Sequence, residues 1–165
     1  MAKLIEFWDR KIDGKGNIAH PLNGKNSYLV GRSQICDVKL KPVGRFISRE
    51  HVILVNGGGR YSFGDISSNG TSFYKVGEEC DVSKLMSHKV RNVFDSERFK
   101  EAFEGRLRGW GEEYGKKVLE RAYLISDFIE DEANVNALRD EGYLSELSEG
   151  DSIFISPYRL VFSGE

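Results

Sequence analysis

Three short elements of the sequence combine basic, hydroxyl and amide side chains of the kind that bind anions. They are Gly31-Arg32-Ser33, Ser48-Arg49-Glu50-His51 and the stretch DISSNGT at 65–71. Each lies beside a run of β-branched and aromatic residues, where a strand of a rigid scaffold gives way to a loop. Arginine presents a planar fork of donors that fits a phosphate, and serine and asparagine add short donors. These residue types predict an anion-recognition surface.

The sequence contains no pattern typical of an enzyme. It shows neither a nucleophile with a neighbouring base nor a phosphate-binding Walker loop. The 3 histidines and 2 cysteines lack the spacing of metal ligands, and the cysteines are expected to be reduced thiols. We therefore expect a protein that is not an enzyme and that needs no metal and no cofactor.

The charge and hydropathy of the chain exclude two further classes of partner. A formal net charge of -2 provides no overall attraction to nucleic acid or to an anionic membrane. No stretch approaches the roughly 20 apolar residues of a membrane helix, and the first residues do not resemble a secretory signal. The expected location is cytoplasmic, or nuclear if the source is eukaryotic.

The first third of the chain and its last residues have the texture of strands. Short β-rich runs separated by Gly, Asn and Pro occupy 4–8, 27–31, 51–55, 60–66, 71–74, 153–155 and 158–162. Within 60–66, Tyr61 and Phe63 alternate with Ser62 and Gly64, which predicts a half-buried strand. The sequence NGGG at 56–59 predicts a tight hairpin. Many short strands with turn signals between them predict a β-sandwich or a barrel.

The middle of the chain has the texture of helices. Phe99, Ala102, Phe103 and Leu107 form one helical stripe, preceded by two possible N-caps, Asp95 and Ser96. Further helices are predicted near 82–86, over a stripe from 114 to 129, and over 131–141, where Gly142 would end the last one. Strand, helix and strand texture in this order predicts one sandwich interrupted by a helical insertion.

The spacing of the elements resembles that of the forkhead-associated (FHA) domain, a family of phosphothreonine-peptide readers. The Gly-Arg pair precedes a strand of the D-V-x-L type at 37–40, and Ser48 follows Arg32 by sixteen residues. Asn69 follows His51 by eighteen residues, and the stretch LSEGD at 147–151 leads into the last two strands. The resemblance covers about 1–75 and 145–165, and its strength lies in four motifs that occur in register.

The resemblance implies a fold and a division of the chain. The fold class is mainly β, an FHA-type antiparallel β-sandwich with a helical insertion of about 60 residues before the last two strands. The sandwich would be discontinuous, formed by 1–75 and 145–165, and the insertion would occupy 76–144. The insertion is not part of the family's usual plan.

The resemblance also implies roles for particular residues. The phosphothreonine-binding residues would be Arg32, which clamps the phosphate, Ser48, which donates to a phosphate oxygen, and Arg49, which helps to hold the phosphate or the peptide. Ser68 would contact the phosphate or the phosphothreonine, and Asn69 would hold the peptide backbone. Structural support of the site would come from Gly31, His51 and Gly70. Taken alone, Asn69 fits a simple hairpin turn, Arg32 a solvated charge and His51 a structural histidine, so the roles depend on the combination. Asp65 and Asp151 are expected to shape turns, because a carboxylate beside a phosphate would repel it.

The implied function is a phosphothreonine-dependent protein-binding module, a signalling adaptor without catalysis. Thr71 is the single threonine of the sequence and lies inside the proposed binding turn, so the ligand is expected on a partner protein in trans. The alternative is a constitutive interaction scaffold that acts mainly through the insertion, with phosphate binding weak or lost.

The insertion has an acidic second half, and its function is open at this point. Its acidic residues are Asp127, Glu130, Asp131, Glu132, Asp140 and Glu141. A solvated helical face packed on the sandwich is the simple interpretation. The other hypotheses are a surface for a second partner and a lid that folds toward Arg32 and Arg49 as a phosphate mimic.

Overall fold

The computed structural model of the chain describes residues 1–8, 17–41, 47–79, 82–107 and 124–164. Within these residues, ten strands form two five-stranded sheets. The strands are β1 (Lys3–Trp8), β2 (Ile18–Pro21), β3 (Ser27–Gly31), β4 (Val38–Lys39), β5 (Val52–Gly57), β6 (Arg60–Asp65), β7 (Ser72–Tyr74), β8 (Ser145–Glu146), β9 (Ser152–Ile155) and β10 (Tyr158–Ser163). Sheet A has the order β2-β1-β10-β9-β7, and sheet B has the order β4-β3-β5-β6-β8.

The pairing of the strands confirms the predicted antiparallel sandwich. The named strands pair antiparallel throughout the described residues except for β3 and β4, which run parallel. Gly58 and Gly59 form a two-residue turn between β5 and β6, with φ angles of 64° and 88°, as the predicted tight hairpin requires. Two strands were not predicted, β2 and the two-residue β8.

The helices lie between β7 and β8 in the sequence. They comprise 3-10 helices at Val82–His88 and Val93–Asp95, the helices α1 (Glu97–Leu107) and α2 (Glu132–Asp140), and a helical segment at 124–128. Ser96 caps α1, since its hydroxyl accepts from the Phe99 N–H at 3.4 Å, and Gly142 follows α2 with a φ of 82°. Residues 108–123, which carry most of the second predicted stripe, lie outside the described residues. The boundaries of the discontinuous sandwich and of the 76–144 insertion stay a prediction.

Two hydrophobic cores lie on opposite faces of sheet B. Val52 and Leu54 of β5 belong to the core between the two sheets. Ile53 and Val55 face the other way and pack with residues from the helices, including Val93, Phe99, Ile125, Phe128, Ile129, Val135 and Leu138. The helices thus cover the outer face of sheet B.

This outer core corrects one prediction. The alternation in β6 indicated a half-buried strand, but Ser62 is fully buried together with Phe63. The prediction was wrong because Ser62 lies under the helices, where its hydroxyl accepts a hydrogen bond from Arg139 at 3.2 Å. The alternation of polar and apolar residues along a strand indicates which residues face the core between the sheets. It does not indicate whether another element covers the opposite face.

The acidic residues at the start of α2 lie far from the three anion-binding elements. Glu130 and Glu132 line a cleft with Lys25 and with the β5–β6 hairpin. That hairpin is at the end of β3 and β5 where Ser27 pairs with Val55, opposite the end where Val30 pairs with Val52. A five-residue strand spans roughly 16 Å, so the carboxylates of Glu130 and Glu132 do not reach Arg32 and do not act there as a phosphate mimic.

None of the helices in the described part of the chain has the length and apolar composition needed to span a bilayer.

Candidate functional site

The three anion-binding elements meet at one end of sheet B. The register pairs Val30 of β3 with Val52 of β5, and Val52 in turn with Asp65 of β6. The loop after β3, the loop before β5 and the loop after β6 therefore leave the sheet side by side. We call these loops, 31–33, 47–51 and 65–71, the rim loops.

The first two rim loops are joined through their backbones. The N–H of Ser33 donates to the carbonyl of Arg49 at 3.0 Å, and the N–H of Arg32 donates to the carbonyl of Ser48 at 3.4 Å. A Cβ at position 31 would overlap the Arg49 carbonyl oxygen, so only glycine permits this approach. Gly31 thus lies where the first two rim loops approach each other most closely.

His51 connects the second rim loop to the third. Its Nδ1 accepts a hydrogen bond from the Ser48 N–H at 3.0 Å, and its Nε2 lies 3.0 Å from the carbonyl oxygen of Gly70. The neutral tautomer with a proton on Nε2 satisfies both partners at once. Burial lowers the pKa of His51, while the Gly70 carbonyl and the charge of Asp65 act in the opposite direction. Both ring nitrogens of His51 are therefore occupied by the backbone of the rim loops.

Asp65 organises the third rim loop. One of its carboxylate oxygens accepts from the Ser67 N–H at 2.9 Å, the Ser67 hydroxyl at 2.6 Å and the Thr71 hydroxyl at 2.9 Å. The Ser67 hydroxyl also accepts from the Gly70 N–H at 2.8 Å. Asp65 is fully buried, and it shapes the turn as expected. Asp151 does the same elsewhere, accepting from the N–H groups of Ser148 and Val76.

The structure brings the five predicted binding residues together on this rim. Arg32, Arg49, Ser68 and Asn69 are exposed, and Ser48 is half-buried. Their positions on three interlocked loops leave the side chains at the surface while the backbone beneath them is fixed.

Two contacts orient donors on the rim. The Nε of Arg32 donates to the Ile47 carbonyl at 3.0 Å, which fixes the guanidinium against the second rim loop. The Ser48 hydroxyl oxygen accepts from the Ser68 N–H at 3.0 Å. Because that bond uses the oxygen as an acceptor, the Ser48 hydroxyl proton stays available to donate to an anion.

Sequence reasoning missed the contribution of Glu50. Burial raises the pKa of its carboxyl, while a hydrogen bond from Ser33 and the charges of Arg49 and Arg32 lower it. The Glu50 carboxyl thus lies within electrostatic range of both guanidinium groups. The only feature of the sequence that could have indicated a place for Glu50 in this site is its position directly after Ser48 and Arg49.

Cys36 and Asn92 also support the rim loops without having been predicted. The Cys36 thiol donates to the Arg49 carbonyl at 3.2 Å, and burial is the main reason that its pKa is raised to about 11. The thiol is free and stays protonated, as a structural cysteine does. Asn92, from the helical part of the chain, donates to the Ser67 carbonyl at 2.8 Å.

Within the described ranges, no group of three or more His, Cys, Asp or Glu residues is arranged to hold a metal ion. The chemistry that the rim offers is hydrogen-bond donation to an anion.

The comparison with family models finds an FHA domain at residues 28–83. This match includes all three rim loops. A comparison with curated protein sequences found no match.

Several solved structures are similar in fold. The yeast Pml1 splicing factor matches with a TM-score of 0.53 and 17% identity over 100% of this chain and 80% of its own. Rad53 in complex with AMP-PNP matches with a TM-score of 0.52 and 15% identity over 99% of this chain. Mycobacterium tuberculosis EmbR in complex with a low-affinity phosphopeptide matches with a TM-score of 0.50 and 17% identity, also over 99%. This chain spans 30% of the Rad53 chain and 24% of the EmbR chain, so these likenesses concern the fold.

Proposed function

We propose that this chain, whose residues 28–83 match the family model of the FHA domain, uses the rim loops to bind phosphothreonine on a partner protein. It would act as a signalling adaptor that recognises its partner only after phosphorylation. In this function Arg32, Ser48, Arg49 and Ser68 hold the phosphate, and Asn69 holds the peptide backbone beside it.

The observation that carries the proposal is the set of donors on the rim. Two exposed guanidinium groups and an oriented serine hydroxyl converge on loops whose backbones are joined to one another. A phosphate brings about -1.5 to -2 charges and three acceptor oxygens, which match this set of donors. Because the loops are already fixed, little ordering is needed when the ligand binds.

The magnitude of these contacts explains why phosphate acts as the switch. Each charge-assisted hydrogen bond contributes roughly 1.5–3 kcal/mol. Three or four of them, offset by the cost of association, correspond to micromolar affinity, or about -8 kcal/mol. A threonine without phosphate loses nearly all of this. Aspartate and glutamate are expected to be poor substitutes, since they have fewer oxygens in a different geometry.

The position of Thr71 supports a ligand from outside this sequence. Thr71 is 2% exposed, and its hydroxyl donates to Asp65 within the third rim loop. A kinase cannot reach that hydroxyl in the folded protein, and a phosphate there would meet the Asp65 carboxylate. Thr71 is therefore not the ligand of this site. The EmbR structure, a relative in fold, was solved with a phosphopeptide, which is in keeping with a ligand of this kind.

The test is a titration of the protein with matched peptides that carry phosphothreonine, phosphoserine or unmodified threonine, drawn from a library of flanking sequences. We expect micromolar binding of some phosphothreonine peptides and none of their unmodified copies. Binding that ignores phosphate, or no phosphate-dependent binding across the library, would reject the proposal. The first of these outcomes would instead favour a constitutive interaction scaffold.

A further inference from the structure

The segment at 89–92 joins the helical part of the chain to the third rim loop. The Val90 N–H donates to the Thr71 carbonyl at 3.0 Å, and Lys89 forms a β-bridge with Ser72. The Asn92 side chain donates to the Ser67 carbonyl at 2.8 Å, and its backbone forms a second bridge, with Asp65. These contacts hold the segment beside the loop that carries Asn69.

Lys89 lies directly on the Asn69–Gly70 turn. A Cβ built on Gly70 would be 2.5 Å from the Lys89 Cε and 3.0 Å from its Nζ. The side chain is exposed, and within the described residues its ammonium makes no ion pair or hydrogen bond. A cation therefore stands at the edge of the proposed phosphothreonine site, contributed by a part of the chain outside the three motifs.

The same segment lines a cleft that continues from the rim. The cleft has a volume of about 540 Å³, with Ser67, Ser68 and Gly70 on one side and Lys89 and Asn92 on the other.

Three other charged residues face this cleft. Arg91 is held over the Tyr143 ring, with its guanidinium carbon 4.0 Å from the ring centroid, and donates to the Tyr143 hydroxyl. Asp65 is buried and already accepts three hydrogen bonds. Asp95 is exposed and also lines the cleft. Of the two cations that line the cleft, Arg91 is therefore engaged with Tyr143, whereas the Lys89 ammonium faces the turn.

We propose that Lys89 binds an anionic side chain of the partner, within about two residues of the phosphothreonine. This inference rests on the proposed function. Ser68 is bonded to Ser48 at the phosphate site, and Lys89 lies over Gly70, two residues further along the loop. An extended peptide covers that interval in about two residues at roughly 3.3 Å each. The ligand is aspartate, glutamate or a second phosphorylated residue, which share the negative charge that an ammonium selects.

The experiment compares phosphothreonine peptides that differ only in having glutamate or glutamine at one of the two positions on each side of the phosphothreonine. We expect the wild-type protein to prefer glutamate at one of these positions by about twofold to fivefold, the range of a partly exposed ion pair. Lys89→Met removes this preference, so that the variant binds the glutamate peptide and the all-glutamine peptide equally. Lys100→Met, an exposed lysine on α1, is the matched control and keeps the preference. Thermal unfolding checks that each variant is folded.

The remaining outcomes separate the two claims. If the wild type distinguishes phosphothreonine from threonine but not glutamate from glutamine, the inference fails and the proposed function stands. If Lys89→Met weakens the glutamate and glutamine peptides equally, Lys89 acts on the phosphothreonine itself, and the inference is again wrong. If the wild type binds no phosphothreonine peptide, both claims fail. A peptide with a second phosphate in place of the preferred glutamate shows which anion is favoured.

Discussion

At the end of sheet B the rim loops are held by hydrogen bonds between polar groups, whereas the outer face of the same sheet is held by apolar packing. On the rim, His51 and Asp65 are buried and bonded to several partners, and the side chains above them are exposed. On the outer face, the apolar side chains of Phe99 and Ile53 are themselves buried among the residues of the helices. Recognition and stability thus depend on different residues in this protein. Substitutions can therefore change one without the other.

The largest effect is expected on the outer face. Phe99 is 3% exposed and packs against Phe94, Phe103 and Phe128, with ring centroids 5.1 to 5.9 Å apart. Phe99→Ala should lower the free energy of unfolding by about 3–5 kcal/mol, measured by urea denaturation. Phosphopeptide affinity, measured where the variant is still folded, should stay the same. A loss of affinity in the folded variant would show that the outer face supports the rim. Stability and recognition would then depend on the same residues.

The next largest effect is expected on the rim, where a substitution should lower the affinity for the phosphopeptide and leave the stability unchanged. Arg32→Ala should weaken phosphothreonine-peptide binding by roughly 2–3 kcal/mol, because a charge-assisted contact to the phosphate is lost. Stability should change by less than about 0.5 kcal/mol, as is usual for an exposed side chain. Arg60→Ala is the matched control, since Arg60 is also exposed but lies at the other end of β6. Equal losses for both variants would mean that only overall charge matters.

A pH dependence is expected from His51. The unfolded chain takes up a proton near the ordinary pKa of 6.5, whereas in the fold burial lowers the pKa of His51. The unfolded state then binds more protons, so the contribution to stability is complete above pH 6.5 and decreases as the pH falls below it. One such group changes the free energy of unfolding by at most about 1.4 kcal/mol per pH unit.

The variant His51→Gln isolates this contribution. It cannot titrate, so its stability should fall less steeply than that of the wild type between pH 7 and pH 5, although it is less stable at pH 7. Hydrogen bonds with the Lys84 carbonyl and with Glu78 raise the pKa of His88, which therefore acts in the opposite direction. The contribution of His88 is the same in the wild type and in His51→Gln, so it cancels when the pH dependence of one stability is subtracted from the other. Identical pH profiles would exclude His51 as the source.

The smallest effect is expected for Asn69. Its implied contact with the peptide backbone is a neutral hydrogen bond, and such bonds contribute about 0.5–1.5 kcal/mol each. Asn69→Ala should weaken phosphopeptide binding by that amount in an isothermal titration. Asn23→Ala, an exposed asparagine away from the rim, should have no effect. An unchanged affinity for Asn69→Ala would favour the simple hairpin interpretation of this turn.

Much of the fold and of the rim could be predicted because the signals are local. Strands such as β3, β5 and β10 coincide with short β-rich runs in the sequence. The glycines at 58–59 directly indicate the hairpin between β5 and β6. Arg32, Ser48 and Asn69 come together because each follows or precedes a strand of one sheet, and motif spacing reports the length of those strands.

The features that could not be predicted depend on contacts between residues that are distant in the sequence. A pattern within one segment does not indicate such contacts. Lys89 and Asn92 meet the third rim loop only because their segment docks there. Ser62 is buried only because the helices cover it. The strand β8 has two residues, too few to show alternation. In each case the deciding partner is a tertiary neighbour.

The strand order of the two sheets has a consequence for how the protein is made. Sheet B contains β3, β5 and β6, which pair with near neighbours in the sequence, so the rim can begin to form early. Sheet A sets β10 between β1 and β9, and joins Lys3 to Ser163. Contacts between such distant residues form slowly, and on the ribosome β1 has no partner on that side until β10 has been synthesised. Until β10 is available, the apolar inner face of sheet B is exposed. The nascent chain is therefore most prone to aggregate after the rim loops have been synthesised and before the two sheets pack together.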